Sequence, residues 1–242
     1  MSRLFLWILL VVVGDAGAQD VQLAVAANFA GTAKRLGEQF TRASGHRLAV
    51  SSGSTGKFYA QIRNGAPFDV LLSADDETPQ RLEKEELAVA GSRFTYAIGK
   101  LVLWSPQAGL VDDQGDVLRR APFKRLAIAN PRLAPYGAAA QATMEKLGVW
   151  DALQPRLVQG ENIAQTFQFV STGNAELGFV ALSQIHEGKA GSSWIVPATL
   201  YTPLRQDAVL LIRAERNAAA RQFLEHLRSP AARDLIRSHG YD

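Results

Sequence analysis

Nine short apolar runs recur along this chain, at residues 21–26, 47–51, 70–73, 101–104, 126–129, 157–159, 177–181, 195–197 and 208–212, each about the length of one strand. Between most of them apolar side chains fall three to five positions apart, as in Phe29/Ala33/Leu36/Phe40, Phe58/Ile62, Ala139/Met144/Leu147, Phe167/Val170 and Phe223/Leu227, the period of an amphipathic helix. Strand and helix therefore alternate, which commits the chain to an α/β architecture with mostly parallel sheets. Ligand sites in such folds lie at the carboxyl ends of strands, where helices begin. With 242 residues, 47% hydrophobic and 20% charged, the chain has material for one large or two modest packed units. Residues 94–103 and 201–209 read as extended segments that pass between two such lobes. Residues 19–98 and 206–242 are expected to form lobe I and residues 99–205 lobe II.

The amino terminus reads as a leader rather than as part of the fold. Arg3 precedes ten uninterrupted apolar residues, 4–13, and Ala16-Gly17-Ala18 follows at once. That order is a signal peptide over residues 1–18; the apolar run is half the length a membrane span needs. No cysteine follows it to carry a lipid, so a free exported chain is expected. The absence of cysteine also excludes disulfides, thiolate catalysis, iron–sulfur clusters and cysteine-type zinc sites. The four histidines, His46, His186, His226 and His239, have no pair at i, i+4. A net charge of +3 with scattered basic residues gives no argument for nucleic acid.

Four strand-to-helix turns share one chemistry. They are Ala26-Ala27-Asn28-Phe29, Ser51-Ser52-Gly53-Ser54-Thr55-Gly56-Lys57, Asn130-Pro131-Arg132-Leu133-Ala134-Pro135-Tyr136-Gly137 and Gln159-Gly160-Glu161-Asn162-Ile163. Taken alone, each has a local explanation: Asn28 caps its own helix, and the serine-rich turn is a solvated loop. Taken together, four helix N-termini present unpaired N–H groups and partial positive charge, about half a unit each as an upper bound. Their convergence would balance a doubly charged oxyanion with no lysine or arginine present. A site for hydrogen phosphate would also need an acceptor for the ligand's proton, which none of these turns plainly supplies, Glu161 being the nearest such group. Competing motifs are weaker. Ser54-x-x-Lys57 matches the nucleophile of penicillin-recognising enzymes, but no Lys-Thr-Gly or Ser-Asp-Asn follows. A P-loop fails at Ser51 and Phe58. Asp75-Asp76-Glu77 reads as a helix start more than a metal site, and Trp104, Trp150 and Trp194 read as core.

The combination of Leu23-Ala24-Val25-Ala26-Ala27-Asn28-Phe29, Gly53-Ser54-Thr55-Gly56-Lys57, Asn64-Gly65-Ala66-Pro67-Phe68-Asp69-Val70, Leu72-Ser73-Ala74-Asp75, Pro135-Tyr136-Gly137, Lys146-Leu147-Gly148-Val149-Trp150 and Leu177-Gly178-Phe179-Val180 resembles the periplasmic molybdate-binding proteins of ABC importers. The resemblance runs over essentially the whole chain after the leader. It implies the type II periplasmic binding-protein fold, two Rossmann-like lobes joined by a two-segment hinge with the ligand between them. It implies molybdate or tungstate as ligand, a membrane permease as partner, a monomer in the periplasm, and no catalytic residue, cofactor or bare metal ion. Carried over by motif, the ligand contacts are Asn28 (side chain and N–H), Ser54 and Thr55 (hydroxyl and N–H, Thr55 being the better match), Tyr136 and the N–H of Ile163. Ala181 departs from members that place a tyrosine hydroxyl there, and Tyr136 is expected to compensate. The alternatives are the same fold binding sulfate or another small oxyanion, and an exported Ser-x-x-Lys hydrolase.

Overall fold

The computed structural model describes residues 20–186 and 188–242; the expected leader lies outside them. The first segment runs through β1 (Asp20–Ala26), α1 (Ala30–Ser44), β2 (Arg47–Gly53), α2 (Thr55–Arg63), β3 (Val70–Leu72), α3 (Glu77–Lys84) and β4 (Phe94–Gly99). Only Lys100 separates β4 from β5 (Leu101–Ser105), which opens a second sheet. That lobe continues with α4 (Val117–Arg120), β6 (Leu126–Ala129), α5 (Pro135–Lys146), α6 (Trp150–Leu153), β7 (Leu157–Gly160), α7 (Ile163–Ser171), β8 (Leu177–Ala181) and β9 (Ser192–Ile195). The chain then returns to the first sheet with β10 (Leu204–Leu210) and ends in α8 (Ala218–Arg228) and α9 (Pro230–Ser238).

The two sheets share one plan, with strand orders β2-β1-β3-β10-β4 and β7-β6-β8-β5-β9. In each, three strands pair in parallel and two more add antiparallel, so the sheets are mixed where the alternation predicts mostly parallel pairing. The cause lies in the crossings. A parallel neighbour needs a long crossover, usually a helix, whereas β5 and β10 arrive directly from the other lobe. The strand expected at 195–197 sits slightly earlier, at Ser192–Ile195, and β4 is a full strand where only an extended segment was expected.

Each lobe encloses its own core. Leu23, Val25, Phe29, Leu36 and Phe223 pack beneath the first sheet, and Leu101, Leu103, Ile128, Met144 and Phe179 in the second. α1 buries Ala33, Leu36 and Phe40 on one face and stops at Gly45, whose left-handed backbone closes the helix. Asn217 and Ser229 cap α8 and α9 through their side chains, and Pro230 opens α9. Trp104 is buried and stacked on Phe167, and Trp194 is buried, as expected of core residues.

Candidate functional site

The four turns converge. The β1 end leads into a single helical turn, Ala27–Phe29; the β2 end leads through Ser54 into α2; the loop after β6 leads into α5; and the β7 end leads through Asn162 into α7. All four face one small cavity between the lobes, and Asn28, Ser54, Thr55, Tyr136 and Ile163 all line it. The cavity is small, far below the size a sugar or an amino acid needs. Among the described residues no carboxylate, ammonium or guanidinium lines it.

Ser54 is the most informative residue. It stands at the N-cap position of α2 with extended backbone, where serine ordinarily accepts an N–H of its own helix, yet its side chain makes no capping bond. The residue is 3% exposed, and its hydroxyl has no hydrogen-bond partner among the described residues. A buried hydroxyl left so costs about 1–3 kcal/mol, which an incoming acceptor would relieve. Thr55 differs, because its Oγ1 accepts the Ala74 N–H at 3.1 Å and so anchors the turn. In the third turn Pro135 occupies the first helical position, and Gly137 follows Tyr136 because a Cβ there would strike the Ala129 carbonyl. In the fourth, the Asn162 side chain accepts the N–H groups of Ala164 and Gln165, leaving that of Ile163 uncapped by it.

Behind the cavity lies a buried polar network without a local sequence signal. The Asn28 Nδ2 donates both protons within the protein, to Gln206 Oε1 (2.9 Å) and to the Tyr241 hydroxyl (3.2 Å). The Asn28 carbonyl accepts from Tyr241 (2.8 Å) and, from the other lobe, from Ser183 Oγ (3.0 Å). Both amide protons of Asn28, the residue whose side chain is expected to reach a ligand, are thus engaged within the protein, and Asn28 does not cap α1. Gln206, fully buried on β10, also accepts from Tyr96 (3.1 Å) and donates through Nε2 to the Tyr136 hydroxyl (3.3 Å). Burial holds the Tyr136 phenol well above the usual tyrosine range, so it remains a proton donor at neutral pH.

The lobes meet directly around the cavity. The Gly56 N–H donates to the Leu133 carbonyl at 2.9 Å, and a Cβ on Gly56 would sit only 3.0 Å from that oxygen. Lys57 pairs with Glu161 across the mouth. That pairing separates Lys57 from Ser54, so the Ser-x-x-Lys spacing assembles no nucleophile and base, and it keeps Glu161 out of the cavity lining. Ala181 does not line the cavity either. Among the described residues no group of three or more histidine or acidic side chains is arranged for a metal ion. The Asp75-Asp76-Glu77 run begins α3, with Asp75 accepting the Thr78 N–H at 2.9 Å.

The profile of the bacterial extracellular solute-binding protein family matches residues 21–242. Over 229 residues the chain is 56% identical to the molybdate-binding protein ModA of Azotobacter vinelandii, covering 93% of this chain and 91% of that one. Over 226 residues it is 50% identical to the molybdate-binding protein ModA of Rhodobacter capsulatus, covering 93% and 89%. The solved structure of the Azotobacter vinelandii periplasmic molybdate-binding protein superposes with a TM-score of 0.89 at 43% identity, over 92% of this chain and 98% of that one.

Proposed function

The chain belongs to the bacterial extracellular solute-binding proteins and, within them, to the molybdate-binding proteins, and we propose that its interlobe cavity captures molybdate or tungstate for delivery to an ABC permease in the inner membrane. The periplasm is the proposed location, in keeping with the similarity to the periplasmic molybdate-binding protein of Azotobacter vinelandii and with the leader-like residues 1–18. The observation that carries the reading is the buried Ser54 hydroxyl, without a partner among the described residues, in a small cavity that those residues line with neutral groups alone. A fully ionised oxyanion brings only acceptors and meets N–H and O–H donors without leaving a charge unmatched. The proposed donors are the hydroxyls of Ser54, Thr55 and Tyr136 and the main-chain N–H groups of Asn28, Ser54, Thr55, Tyr136 and Ile163. Because Gln206 donates to the Tyr136 oxygen, the phenol proton is free for the ligand, which supports Tyr136 as the substitute for the hydroxyl missing at Ala181.

Closure on the ligand is part of the same reading. The lobes are proposed to divide at the two crossings expected near 98/99 and 205/206, the first falling just after Gly99, which still belongs to β4. Sheet membership supports a second cut just before Leu204, since β10 pairs with β4 from there. The Gly56–Leu133, Lys57–Glu161 and Asn28–Ser183 contacts would form on closing and part on opening.

Calorimetry on Ser54→Ala tests the site. The unaltered protein is expected to bind one molybdate per chain, and Ser54→Ala to bind it about ten- to a hundredfold more weakly, the worth of one hydrogen bond to a charged partner. Unchanged affinity in Ser54→Ala would remove that hydroxyl from the site. No binding by the unaltered protein would reject the proposed ligand.

A further inference from the structure

A second cavity, about 370 Å³, opens between the lobes and shares Ala27 and Asn28 with the ligand cavity. Its walls carry basic groups from both sides: Lys34 and Arg35 of α1 and His239 from the first lobe, His186 and Lys189 from the second. No carboxylate lines it among the described residues. The rings of His186 and His239 lie 5.2 Å apart, and Lys189 Nζ sits over the Phe167 ring. Much of the remaining surface charge is paired, as in Arg63 and Arg81 with Glu85, Arg120 with Asp112 and Lys100 with Asp242. Lys34, Arg35 and Lys189 form no ion pair among the described residues.

We propose that this groove is an anion-collecting vestibule, a loose outer zone that concentrates the doubly charged oxyanion at the mouth of the cleft; the inference rests on the oxyanion reading above. The division of labour follows from electrostatics. A buried cation in the inner site would be costly whenever its partner was absent, so the inner site holds the anion with neutral dipoles. Dipoles attract weakly at a distance, whereas solvated cations lining a cleft of low dielectric focus the field outward and raise encounter rates. With a whole-chain net charge of only +3, that attraction has to come from local clustering. The vestibule acts on capture and leaves the final contacts alone.

The test is stopped-flow association of molybdate, followed by intrinsic fluorescence, with the unaltered protein and with a Lys34→Gln/Arg35→Gln/Lys189→Gln variant. All three residues are exposed, so the fold is expected to stand. At about 0.01 M ionic strength, where charges act over about 30 Å, the variant is expected to associate about tenfold more slowly. At about 1 M the difference is expected to vanish, and dissociation to be unchanged throughout. An equal association rate at low salt, or a deficit that persists at high salt, would overturn the vestibule while leaving the inner site standing. Absence of molybdate binding by the unaltered protein would overturn both.

Discussion

Replacing Gly99 with alanine is expected to weaken molybdate binding at least about a hundredfold, equivalent to ~2.7 kcal/mol. Gly99 ends β4 at the crossing between the lobes and lies outside the ligand cavity lining. Its missing Cβ is what admits two other side chains, since a methyl group there would overlap the Tyr136 hydroxyl and stand 2.5 Å from Gln206 Nε2. Neither can yield easily. Tyr136 is a rigid, fully buried ring at the start of α5, and Gln206 is fully buried in a strand between two others. Overpacking of this kind costs about 1–3 kcal/mol, and here it displaces a proposed ligand donor as well. Circular dichroism would establish that the variant folds, and calorimetry would read its affinity. Affinity near that of the unaltered protein would show that the Tyr136 hydroxyl does not need its present place.

Gln206→Leu is expected to lower affinity and stability together, whereas Tyr136→Phe is expected to act chiefly on affinity. Gln206 holds three groups at once: the Asn28 amide, the Tyr96 hydroxyl and the Tyr136 hydroxyl. Tyr96 keeps its bond to the Ser73 carbonyl (2.8 Å) and Asn28 keeps Tyr241, so the loss is partial for those two. With about 1–3 kcal/mol for each buried group left short of a partner, the melting temperature should fall by roughly 5–10 °C. Binding should weaken about tenfold or more, because the Asn28 turn and the phenol proton lose their orientation. Tyr136→Phe removes one donor to the anion and is expected to cost ten- to a hundredfold in affinity; it also leaves the buried Gln206 Nε2 short of one acceptor, so the melting temperature should fall by about 2–5 °C, less than in Gln206→Leu. If Tyr136→Phe binds normally, the hydroxyl only packs and the main-chain contact of the third turn stands alone.

The turns were legible in the sequence because their signals are local. Small polar residues after a strand, Pro135 at a helix start and Asn162 before α7 all announce helix N-termini within a few residues, and their convergence follows from the α/β alternation. The part that escaped is long-range. Asn28 reads locally as a helix cap, but its amide is claimed by Gln206 and Tyr241, 178 and 213 residues away. Gln206 stands between Arg205 and Asp207, so nothing local marks it as a buried network residue, and Tyr241 offered no signal either. The choice between Ser54 and Thr55 was equally invisible, since it turns on whether Ala74 supplies an N–H to the neighbouring hydroxyl. The antiparallel additions to both sheets escaped because strand direction at a crossing depends on which lobe the chain arrives from.

The most direct test of the central claim, an oxyanion held by neutral donors alone, is calorimetric titration with molybdate, tungstate, sulfate and phosphate across pH. Molybdate and tungstate are expected to bind one per chain and sulfate and phosphate far more weakly. Affinity for molybdate is expected to stay nearly flat from about pH 7 to 9, because among the described residues the only titratable side chain lining the cavity is Tyr136, whose raised pKa keeps its donor proton in place. Equal affinity for sulfate, or a steep loss of molybdate affinity as pH rises through that range, would contradict the account and point to a cation in the site.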